Sequence, residues 1–450
     1  MAKEIMCAKI ESIKDEILGV ERHIWKNPEP GYREWKTHKY LKEKYEALGL
    51  ELHEAGDIPG FYTDIDTGRE GPKVAIFGEL DSLIIPTHPE CDKETGAVHA
   101  CGHNCQSAAL YGVAAALTAP GALDGLSGSI RLVAVPAEES IELDFRKDLK
   151  DKGIIKYYSG KVEFLHRGYL DGVDMCFMVH VTANDAVKGI ECNAGSNGCM
   201  VKSAEFLGKS AHAGGSPHRG INALYAANTA LTAANALRET FRDDDHIRFH
   251  PIITEGGTAV NAIPEKVKVE SFVRGATVDA ILQANKKINR AFSASAAAIG
   301  CKVKLNDILG YAPLNNDKNL VSALKQVGTE LFTEAGVLVT DGWSSGSTDM
   351  GDMSAVMPAI HPHIKGAVGN GHGSNFYITD PEFAVVKGAA FQACMVEYLL
   401  KDNAAYAKKI IAEKKTLFKT KEDYFAMVEE NNKSFDGVVY NSDGSATIYG

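Results

Sequence analysis

Four stretches of the chain carry residues able to hold a metal ion or move a proton. "VHACGHNCQ" (98–106) places two cysteines and two histidines within nine residues. A structural zinc site needs four ligands, usually as two close Cys or His pairs. No second pair matches Cys101 and Cys105. A redox pair would be spaced Cys-x-x-Cys before a helix, and here three residues intervene. Read alone, the stretch is either a packed core segment or part of a metal site. "VPAEES" (135–140) puts the adjacent glutamates Glu138 and Glu139 after an apolar run, and "FMVHV" (177–181) ends another run with His180. "GNGHGSNF" (369–376) sets His372 among glycines, where a backbone can approach a ligand closely. Each also has a plain reading: a solvated strand end, a satisfied core histidine, a surface loop. "GSTDMGD" (346–352) could be a helix cap. Their joint occurrence is harder to assign to chance than any one of them.

The elements that must position these residues follow from the apolar patterning. Residues 8–27 and 33–48 predict two helices. "KVAIFGEL" (73–80), "SGSIRLVAVPAEES" (127–140) and "GVDMCFMVHV" (172–181) read as buried strands. The Ala-rich segment 107–119 predicts a helix stopped by Pro120 and Gly121. Strands alternating with helices imply an α/β layer. In such sheets ligands lie beyond the carboxyl ends of the strands. Glu79, Asp81, Glu138, Glu139 and His180 all fall there. Residues 198–306 differ: strand, helix 220–241, strands within 246–257 and 266–275, helix 281–300, and strand 302–307. That order is βαββαβ, the ferredoxin-like unit. It reads as an insertion, with the first layer resuming near 308 and ending in a polar helical extension.

Composition narrows the function classes. The 450 residues exceed one core and suit two or three domains. A net charge of −11 with no basic block argues against a nucleic-acid partner. No run of 18 or more apolar residues exists, so no membrane span is expected. The charged N-terminus lacks the apolar core of a signal peptide, so a cytoplasmic location is expected. Nine scattered cysteines do not form a disulfide framework.

The chain resembles the M20 metallopeptidase and amidohydrolase family, in its aminoacylase-like and aminobenzoyl-glutamate hydrolase-like branch. The resemblance rests on "GELDSL" (78–83), "HACGHN" (99–104), "VPAEES", "VHV" (179–181) and "SAHAGGSPHRGINAL" (210–224). It continues through "EGGTAVNAIPEKVKVESFVRG" (255–275), "GSTDMGDMS" (346–354) and "GHGSNF" (371–376), in the family's order and over residues 1 to about 400. It implies an α/β, zinc-peptidase-like catalytic domain with an inserted ferredoxin-like lid and dimerisation domain. The division would be 1–193 and 308–450 against 194–307.

Carried over, the family's metal ligands fall on Cys101, His103, Glu139, His180 and His372, enough for two divalent ions with one ligand shared. Zinc or manganese suits the set, with cobalt as a further candidate. Glu138 matches the general base for metal-activated water, and Asp81 matches a supporting position. His212 would reach the active site of a partner subunit and stabilise the oxyanion, which implies a homodimer through the lid. Asn261 and Arg274 match positions that hold a substrate carboxylate, and Gly346, Ser347 and Thr348 line the pocket. The implied reaction is hydrolysis of the amide of an N-acyl amino acid, an aminobenzoyl-glutamate-like conjugate or a small dipeptide. The alternative is a non-catalytic small-molecule binder on the same fold. The chain departs from many relatives at Asn104 and Gln106, where they carry an acid and a histidine, and at Glu79, where the wider family often has a histidine ligand.

Overall fold

The computed structural model describes residues 2–450. It divides into two compact units. One comprises the chain up to Ala194 with Asn315–Gly342 and Asp352–Leu417; the other comprises Gly195–Leu314, Trp343–Gly351 and Phe418–Gly450.

In the first unit the run Lys73–Glu79 is a strand buried over six of its seven residues. Both its faces are covered, which is why it reads as continuously apolar instead of alternating. It lies parallel to Ser129–Val135 on one side and to Met175–Phe177 on the other. The sheet runs His53–Glu54, Phe61–Asp66, Ser129–Val135, Lys73–Glu79, Met175–Phe177, Ala359–Ile360. Phe61–Asp66 runs antiparallel to both its neighbours, and the last strand pairs parallel with Met175–Phe177. Four parallel strands therefore end at one rim, at Glu79, Val135, Phe177 and Ile360.

The helix against this sheet spans His103–Leu117, and all of its residues are buried. It starts four residues before the expected position, so His103 stands in its first turn. Its small residues permit close packing: a Cβ added at Gly112 would lie 2.9 Å from the Ala389 Cβ. The partner there is the long helix Gly388–Glu413, interrupted by non-helical backbone at Lys401–Ala404. By length and composition this C-terminal segment could cross a membrane. Instead Phe391, Met395 and Leu399 are fully buried in the core of the unit.

The second unit contains the βαββαβ order. Gly198–Leu207 lies between Lys266–Gly275 and Lys302–Tyr311, antiparallel to both, with Arg248–Phe249 and Ile252–Glu255 outside Lys266–Gly275. Helices Ala223–Ala236 and Val278–Ile299 connect them. The Asn222 side chain caps the first through the amides of Leu224 and Tyr225, and Thr277 caps the second through Ala280. Lys266–Gly275 alternates buried with less buried residues along its length, as its sequence suggests.

The tail differs from expectation. Residues 418–450, assigned with 308–450 to the first layer, belong to the second unit, as do Trp343–Gly351. Lys433–Asp436 pairs antiparallel with Lys302–Tyr311, setting Phe435 opposite Leu305. Tyr424 and Val438 are buried, and the Tyr440 hydroxyl donates to the Cys301 carbonyl. An open sheet edge is an unpaired row of donors and acceptors, and the tail pairs part of this one. It is also more than helical: strands Lys433–Asp436, Val438–Tyr440 and Ala446–Ile448 follow the helix Lys421–Asn431.

Candidate metal centre

Gly102 sets the geometry at the first unit's rim. Its φ is +93°, and a Cβ there would lie 2.2 Å from Val181 Cγ1. Conformation and space both demand glycine. The turn brings Cys101, just before it, and His103, just after it, towards one point. Cys101 Sγ lies 3.3 Å from His180 Nε2. His180 Nδ1 donates to the Val181 carbonyl at 2.7 Å, which leaves Nε2 facing the thiol. His103 Nδ1 donates towards the Asp81 carbonyl (3.0 Å) and Asp81 Oδ1 (3.2 Å). Asp81 Oδ2 accepts from the Glu139 amide at 2.8 Å, so one carboxylate holds the His103 ring and the Glu139 backbone.

Three groups of donor atoms lie within 4.8 Å of one another: Cys101, His103 and His180; Cys101, Glu139 and His372; and Glu79, His103 and Glu138. Cys101 belongs to two of them. His372 is held by its amide on the Ala100 carbonyl at 2.9 Å, and its Nε2 stands 3.3 Å from Glu139 Oε1. Two buried atoms here have no hydrogen-bond partner, His103 Nε2 and Glu139 Oε1. His103 Nε2 nevertheless sits 3.1 Å from Glu79 Oε2 and 4.0 Å from Glu138 Oε2. Nδ1 is committed to Asp81, so Nε2 faces the carboxylates; against burial, Glu79 and the Cys101 thiolate hold the ring well above its ordinary pKa. Thiolate, imidazole and carboxylate donors gathered this closely fit a cation that would displace that proton.

The electrostatics agree. Burial alone would raise the Cys101 thiol, yet His103 and His180 hold it well below its ordinary value. Burial and the Cys101 thiolate push Glu139 up to about 7. Contacts with Cys101 and Glu139 raise His372 to about 11. In Glu79, one oxygen takes the ammonium of the fully buried Lys161 and the other accepts from Gln106 Nε2 at 2.8 Å. Gln106 thus braces Glu79, and Asn104 donates to Glu21 Oε1 at 2.6 Å. Cys105 is packed in the core.

The five expected ligands, Glu138 and Asp81 all lie at this rim. Sequence reasoning missed His361 and His363. Their rings sit 5.6 and 5.4 Å from that of His180, and burial drives His363 down to about 3. The signal was available, since "HPH" follows the strand Ala359–Ile360 at the same sheet rim.

The remaining expected residues lie in the second unit. His212 is exposed, and its Nδ1 accepts from the amides of Gly214 (3.2 Å) and Gly215 (2.9 Å). That fixes the tautomer whose Nε2 carries the proton. Asn261 is adjacent, its carbonyl accepting from the Ala213 amide at 2.9 Å. Arg274 Nη1 donates to Ser347 Oγ at 3.0 Å, and its Nε to His250 Nε2 at 3.2 Å. Gly346 and Thr348 flank Ser347, with Thr348 buried.

Cys, His and Glu side chains gathered at the carboxyl rim of an α/β sheet make a donor set that could hold metal ions. The sequence matches peptidase family M20/M25/M40 over residues 60–398. The chain belongs to that family, and is an M20 hydrolase of the kind that acts on amide or peptide bonds. It is 28% identical to an Xaa-Arg dipeptidase of Mus musculus over 81% of this chain and 80% of the relative. It is 26% identical to an N-acetyl-L-cysteine deacetylase of Bacillus subtilis over 70% and 73% respectively. A dinuclear metal binding peptidase of the M20 family from Bacillus subtilis superposes with a TM-score of 0.65 at 20% identity, covering 87% of this chain and 99% of that one. The last likeness is one of fold.

Proposed function

We propose that the protein is a two-ion amidohydrolase that splits an N-acyl amino acid or small dipeptide. The observation that carries this reading is the membership of Cys101 in two donor groups, one with His103 and His180 and one with Glu139 and His372. A thiolate available to both donor groups would offset the mutual repulsion of two dications. Thiolate, imidazole and carboxylate favour zinc, with manganese and cobalt as alternatives. When bound, such ions supply Lewis acidity, polarising the amide carbonyl and making water more acidic.

The side chains do the rest. Glu138, beside Glu139 but not in its donor group, takes a proton from the attacking water and returns it to the leaving amine. His212 Nε2–H donates to the developing oxyanion. Arg274, steadied by Ser347, offers its fork to the carboxylate of the released amino acid, with Asn261 beside His212 and Gly346 and Thr348 around Ser347. His212 would act in a partner subunit, and the second unit has a surface suited to a second copy. The edge strand Ile252–Glu255 is exposed throughout, and Tyr225 and Val260 are 64% and 101% exposed. A reducing, cytoplasmic setting fits nine free thiols.

The test is turnover by metal-stripped protein reloaded with zinc, manganese or cobalt. The panel holds N-acetyl amino acids, aminobenzoyl-glutamate and dipeptides ending in arginine. Hydrolysis that requires metal and disappears in Glu138→Ala is expected. Two ions bound with no turnover of any amide would move the protein to the binding role.

A further inference from the structure

Ala137, directly before Glu138, has a φ of +58°, in the left-handed region that costs any residue with a Cβ. Such strain persists only where surrounding contacts over-determine it. Two segments supply them. The first is "GYRE" (31–34), in which every residue has a part. Glu34 Oε1 accepts the Ala137 amide at 2.8 Å. Arg33 holds both oxygens of Glu142 at 2.8 Å and lies 4.0 Å above the Phe145 ring. The Tyr32 ring faces the Arg146 guanidinium at 5.6 Å. Gly31 leaves room, since a Cβ there would lie 2.6 Å from Arg146 Nη2 and 3.0 Å from Ala137.

The second segment is the helix Leu143–Asp151, which follows the glutamate pair. Its Arg146 is 1% exposed and points back at the loop. Nη1 donates to the carbonyls of Ala137 (3.3 Å) and Tyr158 (2.8 Å), and Nη2 donates to the Glu139 carbonyl. The residues on either side of Glu138 are thus gripped by one guanidinium, while Glu34 and Asp81 take the amides of Ala137 and Glu139.

We propose that Arg146 and Glu34 are positioning residues, a backbone clamp that holds Ala137 in its left-handed conformation and thereby aims Glu138 and Glu139 in opposite senses, one at water and one at metal. The inference rests on the reading of those two glutamates given above. A planar fork with donors on two nitrogens suits two carbonyls; a single ammonium does not. Burial pushes the Glu34 carboxyl well above its usual range, so a neutral amide is a close substitute for it.

Titration of stripped protein with Zn²⁺, followed calorimetrically, tests the clamp. Wild type should take two ions. Arg146→Lys, with Arg146→Met as the second variant, should keep the tighter ion and bind the other at least about tenfold more weakly, because Glu139 is displaced. Glu34→Ala should do the same and Glu34→Gln should be rescued, since its amide oxygen still accepts from Ala137. Turnover should fall in kcat with KM little changed. A folded Arg146→Lys that binds both ions as wild type does, or a Glu34→Gln as impaired as Glu34→Ala, would overturn the clamp alone. A wild type that takes no ion would overturn the site reading, and the clamp with it.

Discussion

Each unit buries a group of charged side chains, and the two groups are finished differently. In the second unit, Lys202 lies between the sheet and the helix Val278–Ile299, with Asp307 and Asn289 both accepting from its ammonium. The other Asp307 oxygen accepts from Asn285 and Asn289, each at 2.7 Å. One cation meets one anion, and both carboxylate oxygens and the ammonium are used. At the rim of the first unit, one buried lysine faces Glu79, while Cys101, Asp81, Glu138 and Glu139 crowd the same few ångströms. His103 Nε2 and Glu139 Oε1 make no hydrogen bond there and meet only the ion-pair contacts of Glu79 and His372, at 3.1 and 3.3 Å. The Lys202 network closes on its charges and leaves over only an amide oxygen, Asn285 Oδ1, which specifies packing; the rim network is open, with thiol, imidazole and carboxylate donors in excess, and suits something that arrives later.

Breaking the open network should cost chemistry. Glu138→Gln should lower kcat by about 10²–10⁴-fold, the usual worth of a general base, with zinc stoichiometry and the unfolding midpoint retained. Breaking the closed one should cost stability. Lys202→Met leaves the Asp307 charge buried, which costs about 3–5 kcal/mol. Denaturant unfolding should register this, while turnover per folded molecule stays at the wild-type value. A smaller effect separates the ligands from their support. Asp81→Asn keeps the shape but weakens the orientation of His103 and Glu139, and zinc affinity should fall about 10–100-fold. A Lys202→Met variant that lost metal would erase the distinction between the two networks.

The placement of Glu79, Glu138, Glu139 and His180 was legible, because they close or follow strands whose apolar runs are plain in the sequence; Cys101, His103, His372 and the role of each residue came from the resemblance to the M20 family. Lys266–Gly275 was equally plain, since one covered face writes a period of two. The helix at His103 was placed late because a helix buried all round shows no amphipathic period. Lys161 and Arg146 could not be anticipated. Lysine and arginine are almost never fully buried, and only the fold reveals the carboxylate and the carbonyls that hold them inside. The tail strand Lys433–Asp436 is mostly exposed and carries no apolar alternation, so pairing with Lys302–Tyr311 left no trace in its sequence.

The central claim is that Cys101 serves two ions at once, and counting zinc in three proteins tests it most directly. Wild type should carry two ions per chain after reloading and gel filtration. His180→Ala, which breaks one donor group, should carry one, and Cys101→Ala, which breaks both, should carry none. A Cys101→Ala protein that retains two ions would contradict the account.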